Sequence, residues 1–118
     1  MFARKVAAPQ KPNSVEEFTQ IIECEVLPWL RTQEGFLDLI TLAIPENREV
    51  ATISFWDHRG SAQDYNAHGH PKVLKLLGNV LDGTPYVKTF DVVSSTFQRV
   101  VPAQPIETSN LIQGGWFS

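Results

Sequence analysis

The chain has 118 residues, 42% of them hydrophobic and 19% charged, which is the size of one domain and far from compositions that stay disordered. Ten Lys and Arg against thirteen Asp and Glu leave a net charge of −3 with His neutral, so there is no basic footprint for nucleic acid or an anionic membrane surface. Cys24 is the only cysteine, which excludes a disulfide framework and a thiolate metal cluster and points to a reducing compartment. No apolar run approaches the roughly 18 residues of a membrane span, and none follows the charged start Met1–Val6, so a cytoplasmic protein is expected.

Residues 2–7 read as a short strand, followed by a loop punctuated by Pro9, Pro12 and Asn13. Ser14 with Glu17 three residues on predicts a capping box at a helix start. Phe18, Ile21, Ile22, Val26, Trp29 and Leu30 then recur at spacings of three and four, one apolar stripe of a helix running to about Thr32. Pro28 removes the bond to the Cys24 carbonyl and predicts a kink in the last turn. Cys24 itself has no neighbouring His or Lys and reads as a buried, inert thiol. Gly35 is free to take the positive φ of a helix C′ residue.

From Phe36 to Ile44 both parities are apolar, the pattern of a strand covered on both faces. Pro45–Arg48 is a turn, and residues 49–57 are the returning hairpin strand. In that strand Ala51, Ile53 and Phe55 are expected to face helices, and Thr52, Ser54 and Trp56 a pocket. Gly60-Ser61 opens a second helix to about Ala67; Gly69 breaks it, and Pro71 restarts a helix carrying Val73, Leu74, Leu77 and Leu81. Asp82–Pro85 is a turn, and a last strand is predicted from Tyr86 to about Val100. The order βαββαβ specifies an α+β, ferredoxin-like antiparallel sheet with both helices on one face. The domain spans residues 1–100. The two-sided apolar second strand needs cover on the other face, which a second copy of the sheet would supply in a homodimer. Residues 101–118 form a C-terminal tail whose Leu111, Ile112, Trp116 and Phe117 are apolar enough to pack on the dimer partner.

The run Leu27-Pro28-Trp29-Leu30-Arg31-Thr32-Gln33-Glu34-Gly35-Phe36, followed by Ile53-Ser54-Phe55-Trp56-Asp57, resembles the antibiotic biosynthesis monooxygenase (ABM) domain of the dimeric α+β barrel superfamily. The resemblance covers about residues 2–99. It implies a homodimer whose sheets close into a barrel, with a small pocket between sheet and helices in each subunit, and a small-molecule substrate. The superfamily holds cofactor-free oxygenases of polyketide aromatics, quinol oxygenases and haem-degrading enzymes, so fold alone does not select the chemistry. Trp56 matches the family pattern. Tyr65, nine residues later, matches neither the His of quinol-oxidising relatives nor the Trp of haem-degrading ones. Lys75 stands where haem-degrading enzymes carry an axial His, and Thr52 where the polyketide oxygenases carry Asn.

The leading expectation is a cofactor-independent monooxygenase of a small aromatic, quinol or polyketide-like metabolite, with no metal. The alternative is a non-catalytic dimeric barrel that binds a hydrophobic small molecule; a haem-degrading monooxygenase ranks below both. Cofactor-free oxygenation asks for a base and a dry cavity. His58, His68 and His70 lie within thirteen residues, and a side chain of pKa near 6.5 suits proton transfer; His68 and His70 come first as candidate bases, although histidines between helices are as readily solvent-exposed. The i, i+2 pair His68/His70 has neither helical metal spacing nor a Cys beside it. Tyr65 is expected on the second helix with its hydroxyl available to orient an oxygen-rich ligand. Trp56 is a packing residue or a pocket wall, and its parity with Ser54 and Thr52 makes the three candidate substrate contacts. Arg4 or Lys5 is a weaker candidate for anchoring a ligand carboxylate, since alternation turns one of them outward.

Overall fold

The computed structural model describes residues 1–96; the tail from 101 to 118 and the end of the predicted last strand lie outside the described residues. Four strands, β1 (Phe2–Pro9), β2 (Phe36–Ile44), β3 (Glu49–Trp56) and β4 (Tyr86–Asp91), form one antiparallel sheet in the order β2-β3-β1-β4. Helices α1 (Val15–Ile21), α2 (Leu27–Leu30), α3 (Arg59–His68) and α4 (His70–Leu77) cover one face. No helix among the described residues is long and apolar enough to cross a membrane.

The first helical run begins at Val15, directly after Ser14, but the capping box does not form. Ser14 is buried, and its hydroxyl faces the carbonyls of Lys11 and Val80; tying the loop to the end of the second helical pair takes precedence over capping. Between α1 and α2 the backbone opens into a π segment, Ile22–Val26, and the Leu27 N–H bonds to the Ile22 carbonyl. The irregularity that Pro28 imposes is thus absorbed upstream, as a wide turn, rather than as a kink in the last turn. The stripe Phe18, Ile22, Val26 and Leu30 is buried against the sheet. Cys24 falls off that stripe and is exposed, contrary to the buried thiol expected.

Gly35 has φ +82, and a Cβ there would strike Ser61 Oγ and Asp57 Oδ1; only glycine lets this exit turn pack against the start of α3. β2 then carries a bulge at Leu37, so that Phe36 pairs with Trp56 and Asp38 with Phe55. The extra residue turns Phe36 to the same face as Leu39, which simple alternation had separated. β2 is one of the two edge strands, and no residue of it is fully buried within the chain: Ile40 and Leu42 are each 39% exposed. The parity of β3 also differs from expectation. Val50, Thr52 and Ser54 line the space beneath the helices, so Ala51, Ile53 and Phe55 face the opposite side of the sheet. β4 ends at Asp91 rather than near Val100, because its partner β1 begins at Phe2: Phe2↔Asp91 is the last rung, closed by Val92 N–H to the Met1 carbonyl.

α3 starts one residue before the predicted Gly60. His58 is its N-cap, Nδ1 accepting from the Ser61 N–H at 3.3 Å, while Asp57 Oδ1 accepts from Ser61 Oγ at 2.6 Å. Gly69 joins α3 to α4 with Pro71 in the first turn of the latter. A Cβ on Gly69 would meet the rings of Trp29 and Tyr65, so the glycine allows the three helical runs to converge.

Candidate functional site

Between the sheet and the helices lies an apolar cavity, with Arg4, Thr52 and Ser54 on the sheet side and Tyr65 and His70 on the helix side. Apolar side chains from α1, the π segment and α4, among them Phe18, Ile22, Val26 and Val73, close the rest. About 40 Å³ is open to water-sized spheres, room for roughly three waters.

Arg4 dominates this space. It is only 3% exposed. Its Nη2 donates to Asn66 Oδ1 at 2.7 Å and lies 2.9 Å from His70 Nδ1, and its guanidinium sits over the Tyr65 ring, 5.2 Å from the centroid. Arg4 forms no ion pair with a carboxylate of the described residues. Burial pulls the guanidinium pKa down, yet arginine keeps its proton in proteins. A buried, charged, acid-free guanidinium is costly unless something anionic meets it.

The hydrogen bond to Arg4 also assigns the His70 tautomer. Guanidinium groups only donate, so Nδ1 of His70 accepts and the neutral ring carries its proton on Nε2. Burial, and secondly the Arg4 charge, hold the His70 pKa below its ordinary value. Tyr65 is 6% exposed and stacked among Trp56 at 5.0 Å, Trp29 at 5.9 Å and Arg4. Burial raises its pKa, with the Arg4 charge acting in the opposite sense, so its hydroxyl stays protonated at neutral pH.

Trp56 is completely buried, edge-on to Phe36 and behind Tyr65; its Nε1–H donates to Ser54 Oγ at 2.9 Å, and Ser54 Oγ in turn donates to the Arg4 carbonyl at 3.3 Å. It backs the cavity wall without reaching the cavity. Thr52 and Ser54 do reach it. His68 does not join His70: it is exposed, with Nδ1 3.0 Å from the Asp64 carbonyl, and lines a separate recess of about 250 Å³ together with Trp56, His58, Ser61 and Tyr65. Sequence reasoning underweighted Arg4 and passed over Asn66. The available signal was parity, since Phe2, Arg4, Val6 and Ala8 share one strand face and a charge in an otherwise apolar row marks an inward-facing group.

No protein-family model matches the sequence, and no curated protein matches it. Solved structures do. A monooxygenase from the gene ActVA-Orf6 of Streptomyces coelicolor, in complex with nanaomycin D, is 18% identical with a TM-score of 0.63, covering 86% of this chain and 92% of that one. A structure of an antibiotic biosynthesis monooxygenase is 16% identical with a TM-score of 0.61, over 80% of this chain and all of the other. The chain has the antibiotic biosynthesis monooxygenase fold. A protein of unknown function from Nitrosomonas europaea shares the ABM fold at 13% identity and a TM-score of 0.66, covering 87% of this chain and 95% of that one. At such identities the likeness concerns the fold, and the chemistry of this ABM-fold chain has to be argued from its own cavity.

Proposed function

We propose that the protein is a cofactor-independent monooxygenase acting as a homodimer on a small phenol, enol or quinol. The observation that carries this reading is Arg4: a buried cation without a carboxylate among the described residues, lining an apolar cavity beside Tyr65 and His70. A cation in a dry site stabilises an oxyanion far more than it would in water. It lowers the pKa of a bound phenol, so the substrate ionises on binding by releasing its proton to solvent water, and the resulting phenolate is electron-rich enough to pass an electron to dioxygen. Recombination forms a carbon–oxygen bond, and cleavage of the O–O bond releases water. For a phenol the balance is phenol plus O₂ giving quinone plus H₂O, the substrate supplying all four electrons. His70, holding its proton on Nε2, is a hydrogen-bond donor to the oxyanion in this scheme rather than the base. Tyr65 supplies a wall and a protonated hydroxyl, and Thr52 and Ser54 polar contacts on the sheet side. His68 has no part in it, because it does not line the Arg4 cavity. A bound ring displaces roughly three waters and spreads the cavity walls.

The dimer reading is supported by the large apolar side chains left exposed on the sheet face away from the helices. Ile40, Leu42, Tyr86 and Phe90 share that face, each between 39% and 47% exposed, and covering apolar area is worth about 25 cal/mol per Å².

Dioxygen uptake by the purified protein, measured over a panel of naphthols and quinols with and without a chelator, tests the proposal. Uptake that survives chelation and falls at least a hundredfold in Arg4→Met, with the dimer intact, is the expected result. Binding of the panel without uptake would favour the non-catalytic barrel, and full activity in Arg4→Met would overturn the role assigned to the guanidinium.

A further inference from the structure

On the other side of Arg4 the protein has a second, wider recess. It runs between α3 and the edge strand β4, has a volume of about 430 Å³ and is lined by Phe2, Arg4, Arg59, Gln63, Asn66 and Thr89, with Ala62 and Val87 completing its floor. That volume lies in the range of small-molecule sites, whereas the enclosed cavity holds only a few waters. We propose that this groove is a binding site for an aromatic carboxylic acid, with Arg59 and Arg4 meeting the carboxylate and Phe2, Ala62 and Val87 supporting the ring.

Charge is the first argument. The chain is net acidic, yet this recess is lined by two arginines and no acid. Asp91 lies opposite Phe2 in the strand register but forms no ion pair with either arginine. The second argument is the disposition of the donors. Both hydrogen bonds of the Arg4 guanidinium to described residues use Nη2, and the same side chain lines this recess. The Arg59 guanidinium carbon lies over the Phe2 ring, 5.4 Å from its centroid; that contact holds the charge beside the groove, where a guanidinium can pair with a carboxylate. The third is the neutral remainder. Gln63, Asn66 and Thr89 can bond to carboxylate or ring substituents without a charge of their own, and the apolar floor rejects a small hydrated anion in favour of an acid with an apolar body.

The proposal does not depend on turnover, and its test reads binding alone. Isothermal titration compares 2-naphthoate, the neutral isostere 2-naphthamide and inorganic phosphate on the full-length protein. Naphthoate should bind at least tenfold more tightly than naphthamide. Arg59→Gln, a change on an exposed side chain, should lower naphthoate affinity at least tenfold, leave naphthamide unchanged and leave the melting temperature where it was, with Arg59→Lys recovering part of the loss. Equal affinity for acid and amide, or naphthoate binding indifferent to Arg59→Gln, overturns the site. Phosphate binding as tightly as naphthoate overturns the aromatic acid as its ligand. Naphthoate binding that persists in a protein showing no dioxygen uptake would leave the groove standing and remove only the oxygenase reading.

Discussion

The chain of hydrogen bonds running from Trp56 Nε1 to Ser54 Oγ and on to the Arg4 carbonyl ties the aromatic cluster to the strand that carries the buried cation. Its energetics follow from which group is left without a partner. Ser54→Ala strands the indole N–H in a site where Trp56 has no exposed surface, and an unmet buried donor costs about 1–3 kcal/mol. For a domain of this size each kcal/mol lowers Tm by about 4–8 °C. Trp56→Phe removes the donor together with part of the ring volume, and Ser54 Oγ keeps its bond to the Arg4 carbonyl. In that background Ser54→Ala removes one weaker bond and leaves no buried donor stranded, so it should cost only about 0.5–1 kcal/mol. The double variant is therefore expected to be more stable than the sum of the singles by about 1–2 kcal/mol. Urea unfolding followed by circular dichroism, at one protein concentration and with unchanged m-values, measures all three variants. If Ser54→Ala costs the same in both backgrounds to within about 0.5 kcal/mol, the bond does not hold the cluster and the reasoning fails.

Gly69→Ala drives a methyl group into the Tyr65 and Trp29 rings and should destabilise by about 1–3 kcal/mol through overpacking; a neutral result in the same unfolding assay would mean that the helices can separate freely there. Because burial and Arg4 hold the His70 pKa below 6.5, the unfolded chain takes up a proton that the folded one refuses. Stability should be full above about pH 6.5 and decline as pH falls from there toward the folded value. Arg4→Met should raise the His70 pKa seen in an NMR titration and flatten that decline, and a pKa that stays put would sever the link between the two side chains. Ile40→Asp places a charge among the exposed apolar side chains of the outer sheet face and should convert a dimer to a folded monomer in sedimentation; a wild-type chain that is a compact monomer at micromolar concentration would refute the dimer outright.

The element order was legible from local chemistry alone. Apolar spacing, the turn residues Pro45–Arg48, the break at Gly69 and the positive φ of Gly35 are properties of short segments, and they suffice for βαββαβ with the helices on one face. What depended on long-range contact was not. The Leu37 bulge, the end of β4 at Asp91 and the diversion of the Ser14 hydroxyl to the Val80 carbonyl each follow from where a distant segment stops or lies, and no local pattern encodes that. The site divides the same way. Tyr65, Thr52, Ser54 and His70 could be nominated from residue type and parity, but their meeting at Arg4 joins positions far apart in sequence, 50 residues away for Ser54 and 66 for His70. Exposure separated the two histidines: His68 and His70 look alike in sequence, and the turn at Gly69 directs one to solvent and the other to a buried guanidinium. Tertiary packing decides such matters because the cost of a buried charge, and hence the chemistry it can perform, is set by everything that surrounds it rather than by its neighbours in the chain.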